Sequence, residues 1–134
     1  MRQLFASCGN EREELNKIVC GDVGAVLKLK NTSTCDTLCS SNESVKLKNI
    51  SFPSDNMSFA IQLSSSGDED KMATALSVMH HQDPTFKYRV DPELKQTIMS
   101  GQGEQHIDIT LKRIKNRFNI ELVTSAPKIP YRET

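Results

Sequence analysis

The chain has 134 residues, enough for one ordinary domain or for a small domain with part of another, which excludes a large multidomain enzyme. Its 17 Lys and Arg residues balance its 17 Asp and Glu residues, so no net charge draws it to nucleic acid or to anionic lipid. Apolar residues make up 37% of the sequence and aromatic residues 5%, with no Trp, which is typical of a small globular core built from aliphatic side chains and Met.

The absence of targeting signals favours a cytoplasmic protein, and the cysteine spacing favours separate thiols. No apolar stretch approaches the roughly 20 residues that span a bilayer, and the N-terminal sequence MRQLFASCGNEREEL lacks the apolar segment of a signal peptide. We therefore expect a cytoplasmic location and no membrane partner. The four cysteines, Cys8, Cys20, Cys35 and Cys39, do not form two close C-x-x-C pairs, so separate reduced thiols are favoured over a zinc site.

Residues 1–49 contain short apolar runs that predict a partial β-barrel. The expected strands are RQLFAS, GAVLKLKN and DTLCS, with turn residues between them. A β segment of this size leaves strand edges unpaired, through which non-native self-association is expected. Ser and Asn are then frequent and Pro53 cannot donate a ladder hydrogen bond, so residues 50–56 are the expected linker.

A cleaner pattern begins at Met57. Apolar and polar residues alternate as far as Leu63, which predicts a half-buried strand. A helix is predicted next, because apolar residues follow an acidic stretch at a spacing of i, i+3, i+4 and i+7 and Pro84 then stops the pattern. Those apolar residues are Met72, Ala75, Leu76 and Met79. FKYRV and TIMSG are the next two predicted strands, with Phe86, Tyr88 and Val90 facing inward.

The last two elements complete a recognisable order. A second helix is predicted from the stripe Ile107, Leu111, Ile114 and Phe118, with Asn119 as its end, and IELVTSA is the fourth strand. Residues 57–126 therefore read β-α-β-β-α-β, the split βαβ arrangement of an α+β, ferredoxin-like domain. Two helices are expected on one face of a four-stranded antiparallel sheet, with the other face free for partners.

The segment SGQGEQHIDI, residues 100–109, resembles a binding site at first sight. Gly101 and Gly103 precede a helix, but no Lys-Ser/Thr pair or third glycine follows and Glu104 would repel a phosphate. Glu104, His106 and Asp108 are spaced two apart, so on a helix their side chains diverge. We therefore expect no catalytic, cofactor-binding or metal site here, and we assign the glycines to a tight turn.

Cations are the remaining candidates for contact with a partner. Such charge runs are usually a solvated surface, and the alternative is contact with RNA phosphates or with an acidic protein surface. Base stacking is disfavoured, because the strand TIMSG has no aromatic residue. Together with one histidine, the candidate contact residues are Lys87, Arg89, His106, Lys112, Arg113, Lys115 and Arg117.

The run from DKMATALSVMHHQDPTFKYRV to KIPYRET closely resembles domain III of the elongation factor G family. The family's usual Gly-Met-Gly-Glu-Leu-His-Leu-Glu sequence is matched at Gly101, Gly103, Glu104 and His106, and DPTF and YRET are also present. Upstream, GDVGAVLKLKNTSTCDTLCS resembles the end of the family's domain II, a β-barrel shared by translation GTPases. The resemblance thus assigns residues 1–49 to domain II, 57–126 to domain III and 127–134 to the start of the connection to the next domain.

Several positions depart from the family's usual sequence. Gln102 and Gln105 replace apolar residues, Asp108 replaces a Glu, and Cys35 replaces a glycine. These departures are typical of a diverged paralogue.

The resemblance implies a non-catalytic fragment of a larger protein. The P-loop and guanine-binding motifs of the family's GTPase domain are not in this sequence, so GTP and Mg²⁺ are expected in the full-length protein and no cofactor in this fragment. The implied partners are the ribosome, through small-subunit RNA and protein, and the GTPase domain of the same protein. Domain III would relay conformational change between them during translocation. The alternative is a stand-alone ferredoxin-like regulatory or RNA-binding module.

Overall fold

The structure is a computed structural model that describes residues 3–64 and 67–130. The chain divides after Asp36 into two compact units, and each unit has its own antiparallel sheet. No helix in the described ranges is long and apolar enough to span a bilayer.

The first unit is a small sheet with the strand order β2-β1-β3. β1 (Leu4–Cys8) and β2 (Glu11–Leu15) form a hairpin, and β3 (Ala25–Val26) pairs with the other edge of β1. The hairpin turn begins at Gly9, which has a φ of 60°, a left-handed conformation that tight hairpin turns require and glycine adopts without steric cost. Every side chain in the range 3–36 is at least partly exposed, so this sheet has no sealed core.

The strand predictions for residues 1–49 are confirmed at β1 and largely wrong elsewhere. GAVLKLKN forms a strand only at β3, and residues 36–40, DTLCS, form none. The sequence pattern does not predict β2, because EREEL is exposed except at its last residue and carries no apolar alternation. The hairpin turn, rather than burial, brings β2 alongside β1.

The backbone at Cys35 explains why the family usually has glycine at this position. Its φ is 74°, in the left-handed region where glycine carries no penalty and a residue with a Cβ is strained. The surrounding turn is closed by two hydrogen bonds, from Asp36 N–H to Ser33 O at 3.1 Å and from Ser33 N–H to Asp36 Oδ2 at 2.7 Å. Cysteine therefore occupies a turn position whose backbone suits glycine.

The second unit is a four-stranded antiparallel sheet in the order β5-β6-β4-β7, with two helices packed on it. In chain order its elements are β4 (Met57–Leu63), α1 (Glu69–Gln82), β5 (Lys87–Asp91), β6 (Gln96–Gly101), α2 (Glu104–Phe118) and β7 (Leu122–Ser125). This order confirms the predicted α+β, ferredoxin-like fold.

Both helices begin and end at residues whose chemistry favours a helix terminus. Acidic residues occupy the first turn of each helix, where they complement the partial positive charge of the N-terminus. The first helix stops at Asp83, which is extended and precedes Pro84. The second stops at Asn119, whose left-handed backbone, φ 53°, lets its N–H donate to Lys115 O at 2.9 Å.

The core lies between the helices and the sheet. Its largest fully buried side chains are Phe86, Leu76, Met99, Ile107 and Ile114. Burial of each such side chain contributes on the order of 1.5 to 3 kcal/mol relative to leaving it in water. The apolar stripes predicted for both helices are therefore the surfaces that hold this unit together.

Two apolar residues whose positions fit the alternation of their strands are exposed. Val90 is 68% exposed and Met57 is 39% exposed. Val90 lies near the end of β5, an edge strand, and Met57 is the first residue of β4. Alternation gives the side of the sheet but does not say how far along each strand the helices cover it.

The face opposite the helices is also less open than the sequence predicts. Ala60 and Ile98 project from it and are 4% and 2% exposed. Gln96, on the same face, accepts from Lys128 N–H and donates to Lys128 O, both at 2.9 Å. The chain that follows β7 is thus bound to this face at Lys128. The rest of the expected connection, residues 131–134, lies outside the described residues.

Candidate functional site

His106 lies at the centre of a hydrogen-bond network that joins the two helices. Gln102 N–H donates to His106 Nδ1 at 3.1 Å, and because a backbone amide can only donate, Nδ1 carries no proton. The proton is therefore on Nε2, which lies 2.9 Å from Asp83 Oδ2. Both ring nitrogens are occupied, one by the turn before α2 and the other by the end of α1.

Asp83 receives further hydrogen bonds on its other carboxylate oxygen. Thr85 donates to Asp83 Oδ1 from its N–H at 2.9 Å and from its hydroxyl at 2.6 Å. Partial burial by itself raises the pKa of Asp83, but the hydrogen bonds from Thr85 and His106 outweigh it and the net pKa is lowered. We call Gln102, His106, Asp83 and Thr85 the histidine network.

Gly101 makes room for the His106 ring. A Cβ at this glycine would lie 2.8 Å from His106 Nδ1 and 3.0 Å from Ile107 Cδ1, closer than packed atoms allow. At Gly103 the same Cβ would meet nothing within 4 Å. Close packing is therefore found at Gly101, the last residue of β6, where the missing Cβ leaves room for the His106 ring, and not at Gly103.

Gln102 gives a role to another departure from the family sequence. Its side-chain amide donates to Ser54 O at 2.8 Å, with Pro53 O at 3.4 Å. An apolar residue at this position could not make either hydrogen bond. Gln102 thus ties the segment before β4 to the same turn that holds His106.

The histidine network has the parts of an acid/base pair but not the setting of a catalytic site. A general base needs a free ring nitrogen within reach of a substrate proton, and both nitrogens of His106 are bonded within the domain. Within residues 3–64 and 67–130 no three His, Cys, Asp or Glu side chains are grouped to hold a metal ion. The network is a structural tie, and contact of His106 with a partner stays a prediction.

The cations of α2 do not form one cluster. Lys112 and Arg113 are exposed on the side away from the core. Lys115 binds Glu121 at 2.6 Å and thereby lowers the pKa of that carboxyl, while the Arg117 guanidinium lies 5.5 Å from the centre of the Phe118 ring. Lys115 and Arg117 are about 200° apart around the helix axis, so they flank the core stripe on opposite sides.

Lys87 and Arg89 lie on the opposite face of the sheet, where they line a cleft of about 400 Å³. We call this the basic cleft; its lining residues are Asp55, Ser58, Lys87, Tyr88, Arg89 and Ser100. Lys87 Nζ binds Asp55 Oδ1 at 2.6 Å, and the Ser58 and Ser100 hydroxyls are 2.8 Å apart. The six candidate cations thus divide between two faces of the domain, and the seventh candidate, His106, is partly buried.

Four of the six residues that line the basic cleft are not among the sequence candidates, and one of them, Tyr88, was predicted to face inward. Asp55 lies in the segment expected to be a linker, and Ser58 and Ser100 belong to different strands. The alternation in β4 does place Ser58 on the side away from the core. Only the strand register, which pairs Ser58 with Ser100 and Ser100 with Lys87, brings the group together.

Two comparisons with known proteins bear on this geometry. Residues 52–126 match the family model described as Elongation Factor G, domain III. A crystal structure of a protein from Thermus thermophilus matches with a TM-score of 0.76 and 24% sequence identity over 97% of this chain. The match covers 20% of that protein, so this chain spans about a fifth of its length. At this identity the structural match supports the fold, and the family model identifies the domain.

Proposed function

The chain belongs to the elongation factor G family through its domain III, and from that premise we propose that it relays conformational change between a GTPase domain and the ribosome during translocation. The domain itself is a non-catalytic part of a translation factor. GTP, Mg²⁺ and hydrolysis are assigned, as part of this proposal, to the GTPase domain of the full-length protein. A cytoplasmic location, with residues 1–49 as the end of domain II, completes the proposal.

The observation that carries the relay is the histidine network. It bonds the end of α1, the turn before α2 and the segment that enters the domain to one another through Asp83, His106, Gln102 and Ser54. A unit whose ends are tied in this way moves as one body, while the linkers around it absorb the change in backbone angles. A displacement of either helix would then move the whole domain, without rearrangement inside it.

We assign the exposed cations of α2 to contact with the ribosome. Lys112 and Arg113 point away from the core and have no ion-pair partner among the described residues, so they are available to phosphates or to an acidic protein surface. Lys115 and Arg117 extend the charge to either flank of the helix.

The cations are tested by replacing all four with Gln in the full-length protein. We expect weaker ribosome-stimulated GTPase activity and slower translocation, because each lost phosphate contact weakens binding and reduces its salt dependence. A matched control replaces four other exposed lysines, Lys46, Lys48, Lys71 and Lys95, and is expected to retain both activities. If the α2 variant also keeps both at wild-type levels, the α2 cations are only solvated surface.

The natural reading frame tests the larger premise. A translation GTPase requires a P-loop, G-x-x-x-x-G-K-S/T, upstream of these residues. A reading frame that lacks one would contradict the proposal and favour a stand-alone module.

A further inference from the structure

The basic cleft is built as a row of polar residues across three strands. Lys87 of β5 is paired in register with Ser100 of β6, and Ser100 is paired with Ser58 of β4. The three side chains therefore lie side by side on the face opposite the helices. Arg89 follows one step along β5, in register with the buried Ile98.

This row already holds an anion, the carboxylate of Asp55. Its Oδ1 lies 2.6 Å from Lys87 Nζ, and the Lys87 hydrogen bond is the main reason that the pKa of Asp55 is lowered, with the Ser100 hydroxyl adding to it. The Ser58 and Ser100 hydroxyls are 2.8 Å apart and share a hydrogen bond in which either oxygen can be the donor. The row thus places one ammonium group and two hydroxyl groups next to a single negative charge.

The backbone on either side of Asp55 is fixed. Gln102 donates to Ser54 O at 2.8 Å, and Asn56 N–H donates to Gly101 O at 2.9 Å. Rotation of the Asp55 side chain alone would free Lys87 Nζ from its ion pair, with no change in the fold. The carboxylate can therefore act as a removable occupant.

Arg89 is the cation of the cleft that forms no ion pair with Asp55. It lines the cleft and has no ion-pair partner among the described residues. The nearest acidic group further along β5, Asp91, is turned into the β5–β6 turn, where its Oδ1 accepts the N–H groups of Glu93 and Leu94 at 3.0 and 3.1 Å. The cleft thus offers one guanidinium in excess of what the resident carboxylate neutralises.

We propose that the basic cleft is a phosphate-binding site that Asp55 closes in the absence of ligand. A phosphate group has more oxygens and more charge than a carboxylate, so it can accept from Lys87, Ser100 and the planar fork of Arg89 together. A free carboxylate would have to compete with the Asp55 carboxylate, which is tethered beside Lys87 at a high effective concentration. The site reads phosphate rather than bases: among the described residues that line the cleft, the one aromatic residue is Tyr88, and its ring packs against the core and is not offered for stacking.

The source of the phosphate is either a free oxyanion or the backbone of RNA. The cleft lies on the opposite face of the sheet from the α2 cations, so this inference does not depend on the proposed contact of α2 with the ribosome.

The test uses Asp55→Asn and Arg89→Ala in the full-length protein. Binding of inorganic pyrophosphate is measured by calorimetry, and binding of a fluorescent decauridylate by anisotropy at fixed salt. Removing the resident charge in Asp55→Asn is expected to tighten binding about three- to five-fold. Removing the unused donor in Arg89→Ala is expected to weaken it at least about tenfold, and Arg89→Lys should fall between.

A matched ion pair elsewhere in the domain provides the control. Lys71 and Asp68 are also 2.6 Å apart, and the Asp68 side chain is 28% exposed against 29% for Asp55. Asp68→Asn has the same change in net charge and is expected to leave both affinities unaltered.

The outcomes separate the ligand sources. An effect of both variants on pyrophosphate assigns the site to free oxyanions, and an effect on the oligonucleotide alone assigns it to RNA backbone. Equal changes in Asp55→Asn and Asp68→Asn, or tight binding of polyglutamate that depends on Arg89, would overturn the proposal. Failure of the ribosome experiment on α2 would leave these results untouched.

Discussion

The two faces of the four-stranded sheet are formed by the same strands but differ in what they carry. The face under the helices is sealed by aliphatic side chains and Phe86, and the unit's buried cluster lies there. The opposite face alternates with it along the same strands, yet carries the basic cleft at one end and the bound chain at Gln96 at the other. Because neighbouring residues on a strand point to opposite faces, stability and binding can be altered separately in a single strand.

The largest effect is expected at Phe86, which adjoins the first residue of β5. Phe86→Ala should lower the free energy of unfolding by about 3 to 5 kcal/mol, because it removes a fully buried ring and leaves a cavity. Arg89→Ala, three residues away and on the other face, should change it by less than about 0.5 kcal/mol. Urea unfolding followed by circular dichroism measures both, and equal losses would mean that the two faces are not independent. If Phe86→Ala does not fold, Ile114→Val provides a milder core change of about 0.5 to 1.5 kcal/mol.

The next largest loss of stability is expected at Gly101, at the end of β6. Gly101→Ala should cost about 1 to 3 kcal/mol, because the new Cβ overlaps His106 Nδ1. Gly103→Ser is the control: its Cβ meets nothing within 4 Å, and serine is favoured at a helix N-cap. In the double variant Gly101→Ala/His106→Ala the loss should be smaller than the sum of the single losses. Strict additivity would show that the glycine has some other role.

A smaller loss of stability, which depends on pH, is expected at Asp83. Its pKa is lowered in the folded protein, so the carboxylate stabilises the fold above its unfolded pKa, about 3.9, and this contribution is lost as the pH falls through the lowered folded pKa. Asp83→Asn should therefore cost about 1 kcal/mol at pH 7 and progressively less below pH about 4. Unfolding curves from neutral to acidic pH measure the difference, and a cost that is the same at every pH would show that the charge of Asp83 is irrelevant.

The sequence predicts the helix side of the sheet well and the histidine network poorly. The stripe from Ile107 to Phe118 is local, so its spacing alone gives the buried face of α2. The network joins His106 to Asp83, 23 residues earlier, and such a pair becomes visible only when the packing of the two helices is known. The segments DPTF and GQGEQH, which contain Asp83 and His106, both resemble the family sequence. No spacing pattern in the sequence indicates that they are in contact.

The sequence also predicts poorly at the edges of the sheets and in exposed strands. Val90 fits the inward alternation of β5 yet is exposed near the end of an edge strand. β2 has almost no apolar residue and is a strand because a tight turn folds it onto β1. Coverage by the helices decides the first case and strand pairing decides the second, and a single segment encodes neither.

The relay itself is tested most directly by breaking the histidine network in the full-length protein. His106→Ala should slow translocation on the ribosome while ribosome affinity and stimulated GTP hydrolysis stay near wild type, because the domain keeps its surfaces but loses the tie between α1 and α2. Val78→Ala, which trims a partly buried side chain of the same unit outside the network, controls for a general loss of stability. Translocation at the wild-type rate in a folded His106→Ala protein, or an equal slowing in Val78→Ala, would contradict the account.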